Sequence, residues 1–111
     1  MNKKTKWTVV SIENYDMGKV LEWLLNNGGG YNFWHGDSFA KGDTRGLCSY
    51  CKNEYGIEER DTIYYLWLLN RNSVIILKGF NGDKGTEFEF YVDMNCLDGE
   101  YLDLKVVEEE N

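Results

Sequence analysis

The residues best suited to chemistry in this chain are its cysteines and its single histidine. Cys48 and Cys51 stand two residues apart, the spacing at which neighbouring thiolates bind one tetrahedral ion. His35 and Cys96 would complete a Cys3His set for zinc. Structural zinc sites more often join two such knuckles, and here the remaining ligands are single residues far off in sequence. The competing assignment makes Cys48 and Cys51 small apolar residues of the interior. Three cysteines are too few for a disulfide scaffold, which predicts a reducing, cytoplasmic setting.

Two longer patterns widen the chemistry. His35-Gly36-Asp37 followed by Cys48-Ser49-Tyr50-Cys51 resembles the His-x-Glu and Pro-Cys-x-x-Cys signature of the zinc deaminases, with Asp37 in place of the proton-shuttling Glu and Leu47 in place of the Pro. Asp93 with Asp103-Leu104-Lys105 resembles the Asp and (Asp/Glu)-x-Lys pattern of restriction-type nucleases. That resemblance implies carboxylates holding Mg²⁺ and a lysine steadying the attacking water. The deaminase pattern lacks the parallel strands that would position its groups. The nuclease pattern lacks a basic surface to hold nucleic acid. No strand-helix-strand unit surrounds the two cysteines, as a thioredoxin-like role would require. Gly28-Gly29-Gly30 follows a helical pattern instead of opening one, so it does not aim free N–H groups at a phosphate. The chain therefore reads as a non-enzyme, with a zinc- or magnesium-dependent hydrolase as the alternative.

The elements that must position these residues are bounded by composition. A chain of 111 residues suits one domain, 1–111. Four Trp, eight Tyr and five Phe give it large side chains with which to fill a core. Without proline, turns fall to the 12 glycines and to Asn and Asp. The net charge is −7, which disfavours direct nucleic-acid binding. That charge is local: residues 83–111 carry ten acids and two bases, whereas residues 1–82 carry nine acids and ten bases. No apolar run is long enough to span a bilayer.

Residues 6–12 (KWTVVSI) have strand composition. From Asp16, the apolar residues Met17, Val20, Leu21, Leu24 and Leu25 recur at helical spacing, with Asp16 as the expected N-cap and Gly28 as the expected stop. Residues 28–46 show no clean period. Leu47, Tyr50, Cys51 and Tyr55 predict one face of a short helix stopped by Gly56. Residues 62–69 (TIYYLWLL) and 73–80 (SVIILKGF) predict a hairpin joined by Asn70-Arg71-Asn72. Residues 86–93 and 100–107 alternate apolar and polar and predict two further strands, with 108–111 a frayed acidic tail. The expected fold is α+β: about five strands in one mainly antiparallel sheet, with one amphipathic helix on a face.

If the last two strands are neighbours, Glu87, Glu89, Tyr91, Asp93, Tyr101 and Asp103 share one side, a face suited to a partner with a basic surface. Tyr31, Phe33 and Trp34 supply a second candidate surface. In size, charge and lack of a catalytic motif the chain resembles small acidic inhibitor proteins: phage anti-CRISPR and anti-restriction proteins, and the immunity proteins that neutralise bacterial toxins. The resemblance implies a stoichiometric inhibitor that occupies the basic cleft of a nuclease or other nucleic-acid-handling protein. It needs no cofactor, membrane or direct nucleic-acid contact. An accessory subunit or homodimer using the same surfaces is the remaining expectation.

Overall fold

The computed structural model describes residues 5–29, 40–82, 87–93 and 103–110. Strand β1 (Thr5–Ser11) leads into helix α1 (Tyr15–Leu24). Asn14, not Asp16, caps this helix, its side-chain oxygen accepting from the N–H of Met17 at 3.1 Å. Asp16 sits inside the first turn, where a carboxylate still opposes the positive helix end. The five expected apolar positions are all buried. Gly28 does not end the helix, because the chain runs on through a π-helical turn, Leu25–Gly29.

Strand β2 (Ala40–Asp43) precedes α2 (Thr44–Tyr55), whose N-cap is Asp43 and whose stop is Gly56 at φ +69°. The stop is the expected one: the N–H groups of Gly56 and Ile57 return to the carbonyls of Lys52 and Cys51. The buried face differs by part of a turn, comprising Thr44, Leu47, Cys48 and Cys51 while Tyr50 faces out.

The largest departure from expectation follows. Residues 62–69 are not a strand but the middle of helix α3 (Glu59–Arg71). Period decides the matter over composition. A helix places Thr62, Leu66 and Leu69 on one face, and all three are fully buried. A strand would send Leu66 and Leu69 to opposite faces. β-propensity spans only about 1 kcal/mol in a host protein, whereas burying one leucine is worth roughly 1.5–3 kcal/mol, so the arrangement that buries both wins. Glu59 and Asp61 in the first turn and Arg71 in the last match the helix dipole.

After α3 come β3 (Ile75–Lys78), β4 (Glu87–Val92) and β5 (Lys105–Glu110). The fold is α+β, but the single five-stranded sheet is replaced by two antiparallel ones, β1-β5 and β2-β4-β3. The segment 108–110, expected to fray, belongs to β5, where Glu108, Glu109 and Glu110 pair with Trp7, Lys6 and Thr5.

One hydrophobic cluster ties the elements together, drawing on Trp7, Leu21, Leu24, Leu47, Leu66, Val74, Phe90 and Leu104. Helix α1 packs on α3 and β1, and α2 packs on α3 and α1. Side chains of α1 and of the π-helical turn after it also satisfy the backbone of β1 on its side away from β5. Asn26 accepts from the Trp7 N–H (2.7 Å) and donates to the Trp7 carbonyl (2.9 Å), and Glu22 accepts from the Val9 N–H (2.8 Å). Asn70 does the same for β3, accepting from the Leu77 N–H at 3.2 Å.

Candidate interaction surface

Strand β4 is the centre of its sheet, and its alternation is the one expected: Phe88, Phe90 and Val92 are buried while Glu87, Glu89, Tyr91 and Asp93 face outward. Register adds what the sequence could not show. Glu89 lies between Lys41 of β2 and Lys78 of β3, giving a base-acid-base row across the sheet. Tyr91 is opposite Ile76, which is 41% exposed, so an apolar patch adjoins the charged row. Glu87 is opposite Asp43, a like-charged pair. Asp43 is occupied as the cap of α2, accepting from the Arg45 N–H at 2.7 Å. Lys41, Lys78, Gly79, Glu87, Phe88 and Glu89 line a shallow cleft of about 220 Å³.

The other expected members of this face are not gathered here. Asp103 is exposed and precedes β5, in the other sheet. Tyr101 lies outside the described residues, as do Tyr31, Phe33, Trp34, His35 and Cys96.

Cys48 and Cys51 are both buried on the inner face of α2, one turn apart. Burial pushes the Cys51 thiol up to about 11, with the nearby Cys48 and Asp16 adding to the rise and a hydrogen bond with Thr62 partly offsetting it. Thr62 is itself fully buried, and its hydroxyl donates to the Glu58 carbonyl at 3.3 Å. A metal needs the thiolate, and this environment favours the thiol. Among the described residues no three His, Cys, Asp or Glu come together as a metal site. The nuclease-like pattern is divided between the two sheets, and its central Leu104 is fully buried.

Two aromatic groupings escaped sequence reasoning. Trp67, Phe80, Phe88 and Phe90 form a ladder with ring centroids 4.8, 5.5 and 5.6 Å apart, running from the exposed side of α3 into the core. Its only signal was the alternation of Phe88 and Phe90. On α1 the Lys19 ammonium sits 5.1 Å from the Tyr15 ring and 5.2 Å from the Tyr55 ring. Tyr50 hydrogen-bonds Tyr55 and raises its pKa, with desolvation adding to the effect. The i, i+4 spacing of Tyr15 and Lys19 was the available clue.

Among the described residues no helix is long and apolar enough to cross a membrane. No protein-family model matches the chain, and no curated protein and no solved structure matches it.

Proposed function

We propose that the protein is a small acidic binding protein that captures a basic partner, acting as a stoichiometric inhibitor of a nucleic-acid-handling protein. The observation that carries this reading is the outward row of β4, where Glu87 is exposed and Glu89, Tyr91 and Asp93 are half-buried, opposite the face that Phe88, Phe90 and Val92 give to the core. Acids with an interleaved tyrosine and the adjoining Ile76 offer charge for steering and apolar area for retention. The chain's net charge of −7 favours approach to a phosphate-binding cleft.

Register ranks the acids. Glu89 has a lysine in register on each side, which tempers the field it offers to a partner. Glu87, which is exposed and faces another acid, offers more of its field to a partner.

The triple variant Glu87→Ala/Glu89→Ala/Asp93→Ala is expected to keep its fold and lose capture of a basic partner from host lysate. Wild-type capture should weaken as salt screens the charge. Added to the purified partner, the wild type should abolish nucleic-acid binding at one equivalent. Unchanged capture by the folded triple variant would refute the β4 reading and move the search to Tyr31, Phe33 and Trp34.

A further inference from the structure

A sheet edge is a row of unpaired backbone groups, and this fold covers its edges unequally. The Trp7 and Val9 backbone is held by Asn26 and Glu22, the Leu77 N–H by Asn70, and β2 lies against the turn Leu25–Gly29. Strand β5 pairs with β1 on one side and, among the described residues, with no strand on the other. The direction of its backbone groups follows from β1. Since the Trp7 and Val9 N–H groups are given to the side chains of Asn26 and Glu22, their partners Glu108 and Val106 occupy non-hydrogen-bonded positions of the ladder. The backbone N–H and C=O of Val106 and Glu108 therefore point away from β1, along the open edge.

We propose that this edge pairs with β5 of a second copy of the chain, antiparallel and centred on Val107, to make a continuous sheet β1-β5-β5-β1. In this register Val106 of each copy meets Glu108 of the other, so the outward backbone groups are opposite one another and each pair exchanges two hydrogen bonds. The same register sets Lys105 opposite Glu109 of the second copy and Val107 opposite Val107. Lys6 already stands opposite Glu109 within the chain, and residues 6, 109, 105 and 11 then form a row of base, acid, base and serine across four strands. Val107 and Val10, exposed by 39% and 57%, flank the join. The proposal does not rest on the β4 face.

An interface of one short strand pair falls below the roughly 1,000 Å² of stable complexes, so the dimer is weak and concentration-dependent. Sedimentation equilibrium over a wide concentration range tests it, and charge exchange tests its register. Lys105→Glu and Glu109→Lys each turn two symmetric attractive pairs into repulsive ones, and each is expected to weaken self-association by about tenfold or more. Mixed together, the two variants restore opposite charges at both pairs and should associate with each other. Glu108→Pro removes an outward donor while sparing the bonds to β1, and is expected to abolish the dimer. As a measurement free of substitutions, amide exchange at Val106 and Glu108 should slow as wild-type concentration rises.

A chain that stays monomeric to its solubility limit overturns the proposal. So does a dimer indifferent to Lys105→Glu, or a mixture of the single variants that fails to pair. If Val106 and Glu108 gain protection only with an added lysine–valine peptide, the edge takes a foreign basic strand and the homodimer is overturned.

Discussion

Asn26 is exposed, and a typical surface substitution changes stability by about 0.5 kcal/mol or less. Its geometry calls for more. The one side-chain amide satisfies both backbone groups of Trp7, whose side chain is in the core, at 2.7 and 2.9 Å. Each net hydrogen bond is worth about 0.5–1.5 kcal/mol, so Asn26→Ala should cost about 2 kcal/mol. With a urea slope of roughly 1–2 kcal/mol/M, the unfolding midpoint falls by about 1–2 M. Asn26→Asp separates the two bonds. It keeps an acceptor for the Trp7 N–H but sets a carboxylate against the Trp7 carbonyl, so at neutral pH it should cost more than Ala. Acidification protonates that carboxyl and lets it donate, so the Asp variant should recover relative to Ala as pH falls through the carboxylate range. A loss below about 0.5 kcal/mol for Ala, or equal costs for Ala and Asp at pH 7, would refute the role assigned to this amide.

Two further perturbations read the core. A Cβ on Gly42 would lie 2.8 Å from Phe88 Cζ and 3.2 Å from Phe90 Cε1, inside the aromatic ladder. Overpacking of about 1–3 kcal/mol exceeds the gain of roughly 0.5–1 kcal/mol from replacing a strand glycine, so Gly42→Ala should lower the urea midpoint, and a raised midpoint would contradict the packing. The Cys51 thiol, at about 11 when folded against an ordinary value of 9.0, holds its proton after the unfolded chain has released it. Its contribution to stability is thus complete below pH 9 and is lost as pH rises towards 11, by up to about 2–3 kcal/mol. The stability difference between wild type and Cys51→Ala should shrink through that window, and a constant difference would show that the thiol is not shielded. Thiol labelling near neutral pH should likewise be slow at Cys51.

Helix α1 and strand β4 were legible because each obeys a single period and hides one face. Helix α3 was not. Thr62, Ile63, Tyr64, Tyr65 and Trp67 are residue types that favour strands, and both leucine pairs and exposed aromatics crowd its helical stripe. Misreading it also produced a hairpin that the turn at Asn72 and Ser73 replaces, Ser73 being at φ +62°. The split into two sheets was beyond pattern reading, since alternation shows which face of a strand is buried but not which strand lies beside it. The edge covers Glu22, Asn26 and Asn70 were invisible for a related reason. Nothing in local spacing distinguishes an amide in water from one bonded to a strand 19 residues away. The outward acids of β4 were found from sequence, while the lysines that temper them arrive from β2 and β3 only through register.

That tempering alters how the net charge can act. A chain with ten acids in its last 29 residues would repel itself if those residues formed one face. The register instead sets bases against acids wherever the two lie opposite: Lys6 against Glu109, and Lys41 and Lys78 against Glu89. Asp43 and Glu87 are the exception, and there the fold uses Asp43 to hold the first turn of α2, which draws its charge towards the helix N-terminus. Glu87 thus stands beside an acid already engaged, at the corner where β2, β4 and the start of α2 meet. A basic group arriving at this corner would relieve a repulsion the fold itself leaves standing, whereas one arriving at Glu89 would compete with two resident lysines. Among the described strand pairs, that corner is the one place where the register leaves two acids opposite each other.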